Sequence, residues 1–136
     1  AREIINVLAS INQYHPTTFP GVPRMYNAIN NHPDVAKYDL RSIRACISGS
    51  APLLVEIKTR FEALTGGKVC EGYGLSEAPT ASHCNPIYGV NKPGSIGLPL
   101  PDVDCRIVDL ETGADLPPGG VGELLIKGPQ VMWGYW

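Results

Sequence analysis

Residues 43–48 form a short apolar run, and Leu53, Leu54, Ile57, Phe61 and Leu64 then follow along one helical stripe. Gly66 and Gly67 interrupt that stripe, and Lys68, Val69 and Cys70 begin a second strand-like segment. This succession restricts the fold more than any other stretch of the chain. A strand, a crossover helix of roughly a dozen residues and a second strand make a βαβ unit, because parallel strands need a connection long enough to return to the same end of the sheet. The two strands are therefore expected to be parallel and their crossover right-handed. Pro52 is expected to open the helix, since proline lacks only an amide that the first turn leaves unpaired. The glycine pair is expected to close it, because glycine accepts the left-handed cap.

The flanks extend this α/β reading. Ile4, Ile5, Leu8 and Ile11 recur at helical spacing, which predicts a helix to about Tyr14, short of Pro16. Thr17, Thr18 and Phe19 suit a short strand, and the Pro20-Gly21-Val22-Pro23 loop sets a proline at the start of a second helix reaching about Asn30. After Tyr88 the composition shifts to glycine, proline and alternating residues. Val103, Cys105 and Ile107, then Leu124 and Ile126, read as two strands around a turn-rich 112–120 stretch, an antiparallel sheet or part of a barrel. The expected fold class is thus α/β, a parallel βαβ portion followed by a β-rich, barrel-like portion. Residues 1–136 are expected to form one unit, α/β to about residue 85 and β-rich from about residue 92.

Composition narrows the partners. A net charge of -2 gives no basic surplus, so nucleic acid is not an expected partner. Apolar runs stop well short of the ~20 residues of a membrane span, and no signal segment opens the chain, so no transmembrane segment and a cytoplasmic location are expected. Four cysteines without a Cys-x-x-Cys pair, with His15, His32 and His83 as the only companions, argue for reduced and mostly buried thiols over a zinc site. The chain starts Ala1-Arg2-Glu3 and stops at Gly134-Tyr135-Trp136 directly after a strand-like segment, which reads as a piece excised from a larger domain.

In open parallel sheets, ligands bind beyond the carboxyl ends of the strands. Here those ends lead into Ser48-Gly49-Ser50-Ala51-Pro52 and Glu71-Gly72-Tyr73-Gly74-Leu75-Ser76-Glu77, two loops expected to face one crevice. The first is small enough for backbone to lie flat against a planar ring. The second offers an aromatic face, a hydroxyl and a carboxylate, a kit suited to a nucleotide with a metal ion. Taken singly, a tyrosine at a strand end is usually packing and a glutamate usually a solvated charge.

The run EGYGLSEAP resembles the signature of the adenylate-forming enzymes, the superfamily of acyl-CoA synthetases, firefly-type luciferases and peptide-synthetase adenylation domains. It is flanked in the family's order by FPGVPRMYNAI and SGSAPL before it, and by KPGSIGLPLPDVDCRIVD and GELLIKGPQVMWGYW after it. The last two segments and the Pro-Gly-Val-Pro loop most resemble bacterial long-chain fatty-acid–CoA ligases. The resemblance implies a fatty acid, ATP and coenzyme A as substrates, with Mg²⁺ accompanying ATP. Carried over by position, Tyr73 would stack on adenine, Ser76 would hydrogen-bond near the α-phosphate, and Glu77 would hold Mg²⁺. Ser76 and Glu77 are the implied catalytic residues. Gly49, Ser50, Ala51, Glu71, Gly72 and Gly74 would line the adenine and acyl-phosphate side, Ser50 standing where many relatives have glycine.

The resemblance also implies parts that this sequence lacks: a phosphate loop with its lysine, a ribose-binding aspartate, and a small domain with a catalytic lysine. Residues 1–136 alone are therefore expected to be inactive and to self-associate through exposed edges, while peripheral membrane contact of the full-length enzyme stays open. The competing readings are a medium-chain or aryl acyl-CoA ligase of the same superfamily, or a non-catalytic binding domain that kept the fold. Gly94, Gly97, Gly122, Gly128 and Gly134 are assigned to turns and close packing, Glu123 to structure, and Phe19, Val22 and Pro23 to core. His83 is not needed as a base, because a carboxylate substrate is already ionised at neutral pH.

Overall fold

The computed structural model describes residues 2–136. Helix α1 spans Arg2–Tyr14 and turns Leu8 and Ile11 into the core. Helix α2 spans Pro23–Asn30 and begins with the proline whose missing amide costs the first turn nothing. A short 3₁₀ turn at Val35–Lys37 leads to β1 (Ala45–Ser48), α3 (Val55–Thr65) and β2 (Lys68–Leu75). Strands β3 (Ala78–Cys84), β4 (Leu98–Pro99), β5 (Asp104–Val108) and β6 (Glu123–Lys127) complete the chain.

Strands β1 and β2 are parallel, with Ala45 opposite Lys68 and Ser48 opposite Glu71, so both carboxyl ends reach the same rim. Gly66 closes α3 in the left-handed conformation at φ 74°, as the glycine pair predicts. Residues 17–21 run along the other edge of β1 through parallel bridges from Thr18 to Ala45 and Gly21 to Ser48, in place of a full strand. Phe19, Tyr26 and Phe61 pack under this edge, Phe19 stacked on Phe61 and Tyr26 edge-on to both. The buried Tyr26 hydroxyl lies 3.0 Å from the carbonyls of Phe19 and Ile47, fixing the 19–22 loop against the end of β1.

Three sequence expectations change. Helix α3 starts at Val55 and not at Pro52: Leu54 is the extended N-cap, Leu53 is buried below it and Leu54 itself is exposed. The Glu71–Leu75 run, expected as a loop, is strand, because β3 returns antiparallel along it and pairs Gly72 with Cys84 and Tyr73 with His83. The β-rich part closes no barrel among the described residues. Its β4 pairs with β3 to finish a sheet of order β1-β2-β3-β4, while β5 and β6 make a separate two-stranded antiparallel sheet with Cys105 opposite Ile126.

Polar groups also lock the βαβ unit. Lys58 is only 8% exposed, and its ammonium donates to the Val69 carbonyl and to Asn91 Oδ1 at 3.1 Å. Glu62 Oε1 lies 3.5 Å from that ammonium and accepts the Val69 amide at 2.8 Å. Burying such a charge is tolerable only with partners of this kind, and here they tie α3 to the start of β2. Cys46 and Cys70 are buried thiols, and burial pushes Cys46 up to about 12. Cys84 is half-buried and Cys105 is exposed. No helix among the described residues is long and apolar enough to cross a membrane.

Candidate functional site

A cavity of about 360 Å³ opens where the carboxyl ends of β1 and β2 meet. Ser50, Ala51 and Pro52 form one wall, Glu71, Gly72, Tyr73 and Gly74 the floor, and Gly94, Ser95 and Ile96 the opposite wall. The parallel register produces this convergence: Ser48 sits opposite Glu71, so the segments that follow them leave the sheet side by side. Gly49 lies just behind the first wall, where a Cβ would come 3.8 Å from the Gly72 carbonyl. Ser50 adopts φ 70°, a left-handed conformation that favours glycine, the residue that the family resemblance implies there.

Tyr73 is half-buried, and its ring meets His83 edge-on at 6.2 Å between centroids. No hydrogen bond to the Tyr73 hydroxyl occurs among the described residues. The ring therefore offers a held aromatic face more than a polar contact. His83 is buried, bonds Ser82 Oγ through Nδ1 at 2.9 Å, and is shifted below its ordinary pKa by desolvation. His83 thus packs edge-on behind Tyr73 and does not line the cavity. Gly74 has to be glycine for a local reason: a Cβ there would come 2.8 Å from the Thr80 carbonyl of the returning strand.

Ser76 and Glu77 do not line the cavity. They form the exposed turn between β2 and β3, at the end of the strand that carries Tyr73. The Glu77 carboxylate accepts a hydrogen bond from the Tyr135 hydroxyl at 2.5 Å, while its carbonyl accepts the Met132 amide at 2.8 Å. The phenol holds the Glu77 carboxyl below the usual carboxylate range, so it is an anion at neutral pH. No cluster of three or more metal-binding side chains occurs among the described residues. One exposed carboxylate still suits Mg²⁺, which commonly takes one or two carboxylates and fills its shell with water and substrate phosphates. Tyr135 escaped sequence reasoning because it lies far along the chain. The 94–96 wall escaped because its glycine was assigned to a turn, and Gly94 at φ 78° does both jobs.

Residues 2–136 match the AMP-binding enzyme family. The chain is 52% identical over 132 residues to a long-chain-fatty-acid–CoA ligase of Bacillus subtilis, covering 97% of this chain and 24% of that protein. It is 38% identical over 138 residues to 4-coumarate–CoA ligase 1 of Glycine max, covering 98% of this chain and 47% of that one. The crystal structure of the anthranilate CoA ligase AuaEII in complex with anthranoyl-AMP superposes with a TM-score of 0.87 at 30% identity, over 99% of this chain and 26% of that one. The chain thus spans about a quarter of the length of the bacterial long-chain relative. Matched along its whole described length, this chain belongs to the AMP-binding enzyme family.

Proposed function

We propose that this chain is the adenine-side segment of an ATP-dependent fatty-acid–CoA ligase. In that reaction a fatty-acid carboxylate oxygen attacks the α-phosphorus of ATP, the bond to the bridging oxygen breaks, and pyrophosphate leaves. The coenzyme A thiol then attacks the acyl carbon of the adenylate, and AMP departs with the electron pair of the cleaved bond. The observation that carries this reading is the convergence of the β1 and β2 ends on one cavity with Tyr73 in its floor. Tyr73 would take the adenine face, and the backbone of Ser50, Ala51, Gly72 and Gly74 would lie along the ring edge. Ser76 would donate to the α-phosphate region, and Glu77 would hold Mg²⁺, which supplies charge neutralisation at the phosphates when bound.

The 52% identity to a protein named as a long-chain ligase favours a long acyl chain. The likeness to the 4-coumarate and anthranilate ligases favours an aryl acid as the second reading. Pyrophosphate release by the full-length enzyme over acids of graded length, with benzoate and cinnamate included, decides between them. A rate rising toward chains of about a dozen carbons or more supports the first. Preference for aryl acids supports the second. No acid-dependent release with any of them removes both.

A further inference from the structure

The family resemblance assigns Glu71 to the cavity lining, but its side chain does something separate. Glu71 Oε1 accepts the Leu53 amide at 3.3 Å, and Glu71 Oε2 accepts the Gly94 amide at 2.8 Å. Leu53 directly follows Pro52 of one cavity wall, and Gly94 begins the other. Among the described residues no other hydrogen bond joins residues 49–54 to residues 92–97. The second wall is anchored to the end of β3 by buried Asn85, whose Oδ1 accepts the Lys92 amide at 3.0 Å and whose Nδ2 donates to the Ser95 carbonyl at 2.6 Å; Gly94 lies between these anchors, and the Glu71 carboxylate supplies its tie toward the first wall.

We propose that Glu71 is a positioning residue: its carboxylate ties the two walls together across the β2 end and so sets the width of the cleft in which a planar ring meets Tyr73. Only a carboxylate offers two acceptor oxygens diverging from one stem without a donor between them. Each bond it makes to an amide is charge-assisted and therefore stronger than a neutral pair. Glutamine keeps the length but turns an amide donor toward one of the two backbone donors, so one wall is released. Alanine releases both. The role rests on the nucleotide reading of the cavity, because a cleft width matters only if a ring fills it.

The test uses the full-length enzyme with Glu71→Gln and Glu71→Ala, and reads amide hydrogen exchange at Gly94 and Leu53 without nucleotide, ATP binding by calorimetry, and steady-state kinetics. Exchange at Gly94 is expected to speed by about tenfold or more, in proportion to a lost charged hydrogen bond. ATP affinity should weaken about tenfold by the same lost ordering, with the kinetic loss falling on KM for ATP more than on kcat. Unchanged exchange in both variants overturns the tether. Faster exchange with unchanged ATP affinity overturns its control of the cleft. If the unsubstituted enzyme binds no ATP, the nucleotide reading falls and takes the role of the tether with it, whatever the exchange shows.

Discussion

Tyr73 and Glu77 lie four positions apart on one strand and its turn, yet they ask for different kinetic signatures. The Tyr73 ring offers a face, and a stacking face contributes on the order of 1–3 kcal/mol to holding a base while doing little for the reacting phosphate. Tyr73→Ala in the full-length enzyme is therefore expected to raise KM for ATP roughly tenfold to a hundredfold with a small change in kcat, by the usual conversion of free energy to affinity. Tyr73→Phe should stay near wild type, since the hydroxyl bonds nothing among the described residues. A Phe variant as poor as the Ala variant would show that the hydroxyl matters and the stacking role is wrong. In the proposed reading, Glu77 would work at the other end of the ligand. Its carboxylate, held by Tyr135, would act through Mg²⁺ on charge that grows in the transition state. Glu77→Ala should lower kcat by about two to three orders of magnitude, the scale of removing one preorganised electrostatic partner. Steady-state kinetics showing near-normal turnover would take Glu77 out of the site.

At the scale of elements, the hairpin of β2 and β3 aims Tyr73, and His83 is the buried residue behind it. Desolvation lowers the His83 pKa, so folding favours the neutral ring. The unfolded chain then binds more protons as the pH falls through the ordinary histidine range. The stability that comes from neutral His83 is complete above about pH 6.5 and is lost progressively below it. Urea unfolding between about pH 7 and 5 should show this decline, and His83→Phe should flatten it even if it lowers stability at neutral pH; an unchanged slope would mean that another group titrates. This hairpin was also the least legible element in the sequence. Ala78–Cys84 mixes small and polar residues with no alternation, and Gly72 and Gly74 weaken the strand signal of the segment it pairs with. The parallel pair, α1, α2 and the end of α3 were legible because each rests on local rules: apolar spacing, a proline at the first turn, a glycine at the last. The cavity lining was legible where those elements deliver residues, at Ser50, Ala51, Glu71, Gly72, Tyr73 and Gly74. The site was hidden where tertiary contact decides, in the turn position of Ser76 and Glu77, the 94–96 wall and the Tyr135 contact.

At the scale of the whole molecule, the β5–β6 sheet is separate from the four-stranded sheet that carries the cavity. Strands β5 and β6 pair with each other; residues 114–116 cover the end of the outer β5 edge, the Leu116 amide donating to the Ile107 carbonyl at 2.9 Å, whereas the outer edge of β6 pairs with no further strand among the described residues. Val121, Trp133 and Trp136 are almost fully exposed nearby in the chain, and isolated two-stranded sheets are marginal in water. Exposed strand edges and large apolar side chains seek partners, and another copy of the same chain is the partner always present. Residues 1–136 expressed alone are therefore expected to self-associate with rising concentration, through pairing at the open β6 edge. The same chain should bind ATP weakly, because in the proposed reading Tyr73 and Glu77 would meet only the base and the metal, and the phosphate loop and ribose carboxylate that the family resemblance implies would come from elsewhere. Light scattering across a concentration series and calorimetry with ATP and Mg²⁺ read the two halves separately. Lys substitutions at Leu125 and Ile107, which put charge on that sheet, should shift the population toward monomer without altering the weak ATP signal. A chain that stays monomeric at high concentration would refute the edge argument, and ATP binding at micromolar affinity would show that Tyr73, Glu71 and the two walls they join make a more complete nucleotide site than one side of a pocket.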